Sequence, residues 1–274
     1  MPQPIFFLGP DKCGSSWIFE ILRRDPQIAV PGAKETFFFD SNYHLGLSWY
    51  QNRFDQSRDF TLDVSHDYLF HPLAPSRIAH FSRSSLLLVG MRNPLDRLLS
   101  AMTYMQMQGR LPRKTSVEQA ITLQPELISH GLYGQNISRW LHHFPADSFL
   151  LLDFDLLVRD PQSLIGGLRD QIGLPPQNYC QEDLAPVNKA TAPGLPAPLA
   201  RLGRRAISRA RRNGWLTTAQ RFKVIGSALN RQAAAPRPVL DASMESDLAF
   251  IFAKDLVAFD SLMNTNYCKQ WNLG

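Results

Sequence analysis

Cysteine is scarce: Cys13, Cys180 and Cys268 are the only three in 274 residues, and no two form a CxxC pair. An odd, dispersed set argues against a disulfide framework or a zinc site and fits a reducing cytoplasm. Long apolar runs are missing, so no membrane insertion is expected. No charged stretch precedes an apolar one at the N-terminus, so no signal peptide is expected and a cytoplasmic location follows. Asp and Glu are absent from Leu184 to Leu240, where eleven of the 29 Lys and Arg fall. That leaves 18 basic against 24 acidic residues elsewhere, a net −6, so the overall +5 is a local excess. Such an excess points to an anionic ligand or surface. Only Trp215 and Phe222 could stack on bases there, which weighs against a nucleic-acid partner.

What is present suits one substantial core: the chain is 44% hydrophobic, and a single domain over 1–274 is expected, with 184–240 a basic lid or helical segment inside it. Ile5 to Leu8, Phe60 to Ser65, Leu86 to Val89 and Phe149 to Phe154 read as strands, three of them as continuous apolar runs of the kind buried on both faces. Helical spacing runs through Leu95 to Met107, Val117 to Leu123 and Tyr133 to Phe144, and again through Met244 to Met263. Ala185 to Pro198 is Pro-rich and reads as a loop or lid. Strands alternating with helices predict an α/β fold, a three-layer αβα arrangement around a mostly parallel sheet.

The first strand breaks at Gly9 and Pro10 and restarts as a helix with Trp17, Ile18, Ile21 and Leu22 on its apolar positions. A strand, a glycine turn and a helix N-terminus present several backbone N–H groups and a positive dipole end to one point, which suits phosphate. The spacing from Gly9 to Gly14 matches a Walker A loop, but Ser15 stands where that motif needs lysine, and the lysine comes earlier, at Lys12. The loop therefore suits a phosphate other than the γ-phosphate of ATP with its Mg²⁺, and no metal is expected. A second anion site follows the Leu86 strand. Asn93 suits an N-cap and Pro94 the first helical turn, while Arg92 would project from the strand end and Ser100 lies about two turns on. Guanidinium grips phosphate bidentately, so the two sites together suggest a nucleotide with phosphate at both ends.

These motifs resemble the sulfotransferases that use 3′-phosphoadenosine 5′-phosphosulfate (PAPS). Lys12 to Trp17 is similar to that family's 5′-phosphosulfate loop and Arg92 to Ser100 to its 3′-phosphate motif. Lys34 to Asp40 and Tyr43 to Tyr50 resemble the heparan-sulfate or carbohydrate branch. The resemblance implies a P-loop-like sulfotransferase fold in a bacterial-type stand-alone domain, with PAPS as donor and 3′,5′-bisphosphoadenosine (PAP) as product. It implies that Lys12, Cys13, Gly14, Ser15, Ser16, Trp17, Arg92, Ser100 and Lys189 contact the nucleotide, with Lys189 and Asn188 on the lid. For Cys13 a small loop residue is the plainer reading, and Trp17 either packs on adenine or faces the core.

Sulfuryl transfer needs positive charge at the leaving phosphate and a base at the acceptor proton. Lys12 fits the first role. Glu35 is the favoured base, because the heparan-sulfate branch places a deprotonating glutamate at this motif position. The run Phe37, Phe38, Phe39 would hold it in apolar surroundings, where a carboxylate becomes a stronger base. Lys34 and Glu35 read equally as a surface pair. His66 competes as base, since cytosolic sulfotransferases carry a catalytic histidine on the corresponding strand. A lysine of the family pattern falls at Val64 and a glutamate at Asp63, so that cation is missing or supplied elsewhere. The expected reaction is in-line transfer of a sulfo group to a hydroxyl, less readily an amine, of a carbohydrate or small natural product. The alternatives are a P-loop nucleotide kinase or NTPase, for which Ser15 is the wrong residue, and a non-catalytic binder of anionic polymers.

Overall fold

A computed structural model of the chain describes residues 2–32, 34–185 and 238–273. Its elements in chain order are β1 (Gln3–Gly9), α1 (Ser15–Leu22), β2 (Ile28–Ala29), α2 (Leu47–Gln51), β3 (Phe60–Val64), α3 (Ala74–Phe81), β4 (Leu86–Met91), α4 (Pro94–Met107), α5 (Val117–Leu123), α6 (Glu126–Ser129), α7 (Tyr133–Leu141), β5 (Phe149–Asp153), α8 (Phe154–Arg159), α9 (Pro161–Gln171), α10 (Ala242–Met263) and α11 (Tyr267–Gln270). The chain divides into two compact units, Met1–Arg92 with Trp140–Lys189, and Asn93–Arg139 with Ala190–Gly274.

The first unit holds a five-stranded, all-parallel sheet in the order β2-β3-β1-β4-β5. Its strands read as unbroken apolar runs because both faces are covered. Side-chain alternation then sorts residues between two layers. Ile5, Phe7, Leu62, Val64, Leu88 and Leu152 join Ile18, Ile21 and Leu22 of α1 and Ile165 and Leu168 of α9 in one buried cluster. Phe6 turns the other way, edge-on to Phe39, Tyr68 and Phe81. Asp63 pairs in register with Phe6, so its carboxylate enters this second, aromatic layer. Parallel pairing also brings the carboxyl ends of β1, β3, β4 and β5 to one edge, where ligands of open α/β sheets bind.

The expected strands form, with two a residue shorter: β3 ends at Val64 rather than Ser65, and β5 at Asp153 rather than Phe154. Phe154 leaves β5 because the Asp153 carboxylate accepts from the amides of Asp155 (2.8 Å) and Leu156 (3.0 Å) and starts α8. Nothing in sequence period marks the two-residue β2. A buried Asp25–Arg169 ion pair, with Arg169 also donating to the Pro175 carbonyl at 2.8 Å, ties α9 to the α1–β2 connection.

In the second unit, Asn93 caps α4 as expected, accepting from the Leu95 amide at 3.0 Å with Pro94 opening the helix. Ser116 and Gln119 form a capping box at α5. Leu98, Met102 and Met105 pack with Leu127, Leu248 and Phe252. The C-terminal helix begins at Ala242, two residues before the expected Met244, because Asp241 accepts from the Met244 amide at 2.8 Å. Most of the basic segment 184–240, Asn188 and Lys189 included, lies outside the described residues. Among those described, no helix is long and apolar enough to cross a membrane.

Candidate active site

The site is built on the first unit's sheet edge, from the connections that leave β1, β2, β3 and β4. Gly14 sits at φ 83° ahead of α1, a left-handed turn that glycine adopts without a Cβ penalty. A hydrogen bond to its carbonyl from the Trp17 amide (2.8 Å) opens the helix, and no side chain caps it. The first helical N–H groups have no intrahelical carbonyl within reach, and the dipole adds positive character there. Cys13 is buried against Gly90, where a Cβ would fall 2.6 Å from the Cys13 Cβ. Its Cβ and carbonyl oxygen both lie close to Gly90, so the loop packs tightly on β4 there.

Three cations converge on this loop. Lys12 stands at φ 66°. Burial lowers its pKa from the ordinary lysine value, Asp11 opposes that, and the neighbouring Arg92 guanidinium lowers it further. Arg92 Nη1 donates to the Lys12 carbonyl at 2.8 Å, and its Cζ lies 4.3 Å over the Phe154 ring. Arg92 is thus tied to the glycine-turned loop after β1, a contact that its sequence position after β4 does not reveal. The third cation was legible only as half of a surface pair: Lys34 Nζ donates to Ser15 Oγ and Ser16 Oγ, each at 3.0 Å. Its side chain is 12% exposed and that of Glu35 8%, so neither lies on the surface.

Glu35 Oε1 lies 3.2 Å from His66 Nδ1 and 3.8 Å from Lys34 Nζ, and His66 Nε2 lies 3.4 Å from Asp67 Oδ1. Burial works against an imidazolium at His66, but Asp67 and Glu35 outweigh it and raise its pKa to about 9. The two residues read from sequence as rival bases are thus one ion pair. Of the aromatic run, Phe37 lies edge-on to His66, ring centroids 6.0 Å apart, beside the buried Glu35. Phe38 and Phe39 turn into a cluster with Tyr50 and Phe81, while Lys34 and His66 lie beside the Glu35 carboxylate.

What fixes this segment is hydroxyl chemistry. Ser65 Oγ accepts from the amides of Thr36 and Phe37, each at 3.2 Å, and Tyr68 OH from those of Phe38 (2.9 Å) and Phe39 (3.3 Å). Both hydroxyls donate to Asp63, at 2.9 and 2.8 Å, and Thr36 Oγ1 donates to it at 2.7 Å. Burial raises the Asp63 pKa, and the hydrogen bonds from Thr36, Tyr68, Ser65 and Tyr50 pull it back down. Through these hydroxyls Asp63 anchors the segment that follows Glu35.

Of the other residues expected at the nucleotide, Trp17 packs in the buried cluster of α1 and α9, with no hydrogen-bond partner for its Nε1. Ser100 belongs to the second unit, on α4. Lys189 lies outside the described residues.

The family model for the sulfotransferase domain matches residues 2–191. Heparan sulfate glucosamine 3-O-sulfotransferase 3A1 of Mus musculus is 31% identical over 185 residues, which are 64% of this chain and 46% of that protein. Heparan sulfate glucosamine 3-O-sulfotransferase 6 of Homo sapiens is 32% identical over 184 residues, 63% of this chain and 52% of the relative. The chain thus spans about half the length of the curated relatives it matches. A solved sulfotransferase from Alicyclobacillus acidocaldarius has the same fold, with a TM-score of 0.68 at 18% identity, covering 99% of both chains.

Proposed function

This chain belongs to the sulfotransferase family, and from that premise we propose that it moves a sulfo group from PAPS to a carbohydrate hydroxyl, working as one domain. The observation that carries the reading is the gathering of Lys12, Arg92 and Lys34 on one glycine-turned loop beside the Glu35–His66 pair. The loop fits the 5′ end of such a donor. Arg92 disfavours the charge on Lys12 there, and a bound anion relieves that repulsion. A nucleotide kinase would need its lysine at position 15, which is serine.

When bound, PAPS supplies the sulfo group: the bond from sulfur to the bridging phosphate oxygen breaks as sulfur bonds to the acceptor oxygen, and PAP departs. Lys12, with the amides opening α1, meets the negative charge gathering on the departing oxygen. Glu35 takes the acceptor's hydroxyl proton. His66, with a pKa of about 9, already carries its proton at neutral pH and has no lone pair to accept another; it holds the carboxylate of Glu35 in place. The mouse and human relatives are named for a glucosamine hydroxyl of heparan sulfate, which supports a sugar acceptor.

The test is transfer from radiolabelled PAPS to a panel of glucosamine-containing oligosaccharides and simpler sugars, with PAP and ATP binding measured alongside. Label should reach a sugar hydroxyl, and PAP should bind more tightly than ATP. Equal binding of ATP and PAP would sink the donor assignment. Turnover kept in Glu35→Gln but lost in His66→Ala would reverse the roles of the pair.

A further inference from the structure

Position 15 is where a Walker-type loop carries its lysine, and here an ammonium reaches the same spot from another part of the chain. Lys34 follows β2, 19 residues after Ser15, and its Nζ bridges the hydroxyls of Ser15 and Ser16 at 3.0 Å each. Those are the first two residues of α1, so the ammonium stands at the open end of the helix with the N–H groups that face an incoming anion. A hydroxyl that accepts from an ammonium keeps its own proton to donate, so the contact also turns Ser15 and Ser16 into donors aimed away from Lys34. The side chain is only 12% exposed. Its Nζ also lies 3.8 Å from Glu35 Oε1, between the glycine-turned loop and the base.

We propose that Lys34 is a donor-binding cation of this enzyme, gripping the 5′-phosphate end of the nucleotide together with Lys12. The proposal rests on the PAPS reading above, and it assigns Lys34 to one end of that molecule. Lys34 touches the phosphate that becomes the leaving group, so its charge is present where negative charge grows during transfer. No lysine is needed at Val64 for this, because the cation enters from the β2 side of the loop instead of from β3.

The test pairs a side-chain change with a ligand change. Calorimetric titration of the full chain compares adenosine 3′,5′-bisphosphate with adenosine 3′-monophosphate, which lacks the 5′ group, in wild type, Lys34→Met and Lys34→Arg. Losing a charge-assisted hydrogen bond should weaken bisphosphate binding about tenfold or more in Lys34→Met. The monophosphate should be unaffected within about twofold, and Lys34→Arg should recover most of the loss. Equal losses for both nucleotides, or none, in a variant with the wild-type melting temperature would overturn the proposal while leaving the donor intact. Wild type binding neither nucleotide would overturn the donor reading and this proposal with it. Should Lys34→Met fail to fold, Lys34→Gln removes the charge while keeping a polar side chain over the two hydroxyls, and the same selective loss is expected.

Discussion

Two segments meet at Glu35, and they are held in opposite ways. Thr36 to Phe39 spends four consecutive amides on two hydroxyls, Ser65 and Tyr68, and both hydroxyls then donate to the buried Asp63. The loop from Lys12 to Ser16 instead gathers cations: Arg92 on the Lys12 carbonyl and Lys34 on two serine hydroxyls. One segment is saturated with internal partners, and the other concentrates charge of one sign. The difference separates two tasks. A base must be held to within a fraction of an ångström before the acceptor arrives, so its support is built in. A loop that accepts a multiply charged anion gains from gathered cations, because their charge attracts the ligand.

Substitutions that remove chemistry from either side should have the largest effects, and they should differ in kind. Glu35→Gln keeps the shape of the base and removes its basicity, so kcat should fall by about 10²–10⁴ while PAP affinity stays near wild type. Lys12→Met should lower kcat by about 10²–10³ and weaken PAP as well, since that side binds and stabilises with one group. The paired readout is single-turnover transfer and calorimetric titration of PAP. Equal loss of PAP affinity in both variants would erase the division between a positioned base and a cationic cradle.

The saturated side should respond through stability. Asp63→Ala leaves the hydroxyls of Thr36, Ser65 and Tyr68 without their acceptor. At roughly 1–3 kcal/mol for each buried polar group left unpaired, the cost should be about 3 kcal/mol or more in urea unfolding. Thr36 Oγ1 and Tyr68 OH are 2.9 Å apart and can satisfy each other, which keeps the figure toward that lower bound. Asp63→Asn, which retains an acceptor oxygen, should lose less. A change under about 0.5 kcal/mol for Asp63→Ala would place it with ordinary surface substitutions and remove the anchor from the comparison.

Much of this architecture was readable from residue order, and the reason is local. β1, β4 and β5 are apolar runs because both sheet faces are covered, and a strand followed by a glycine turn and a helix signals a phosphate loop without any knowledge of the rest. What escaped depends on contacts across the chain. Thr36 meets Asp63 27 residues away, and Lys34 meets Ser15 and Ser16 across a strand and two turns. Lys34 next to Glu35 carries no period that distinguishes a solvated pair from a buried one. Phe37 to Phe39 looked like an apolar wrapping for the carboxylate. In the fold the Phe37 backbone turns at φ 48°, and Phe38 and Phe39 pack away from Glu35 among other rings. The Glu35–His66 pairing could not be read either, since each residue alone suits a base and only their 3.2 Å separation makes them partners.

That pairing gives the smallest and most diagnostic effect, a dependence on pH. The folded-state pKa of His66 is raised from 6.5 to about 9, against burial, by Asp67 and Glu35. A raised value means the folded protein binds the proton more tightly than the unfolded chain. The resulting stability is therefore fully present below pH 6.5 and is lost as pH rises through about 9. Melting temperature should decline across that window in wild type, and His66→Gln should flatten the decline while lowering stability at pH 6, where the imidazolium contributes most. Turnover gives the complementary reading. If Glu35 is the base and His66 its partner, His66→Gln should retain measurable transfer at pH 7 and shift the alkaline limb of the pH profile. A wild-type melting curve unchanged between pH 6.5 and 9 would mean that His66 is neutral in the folded protein. The base would then have to be sought again between the two.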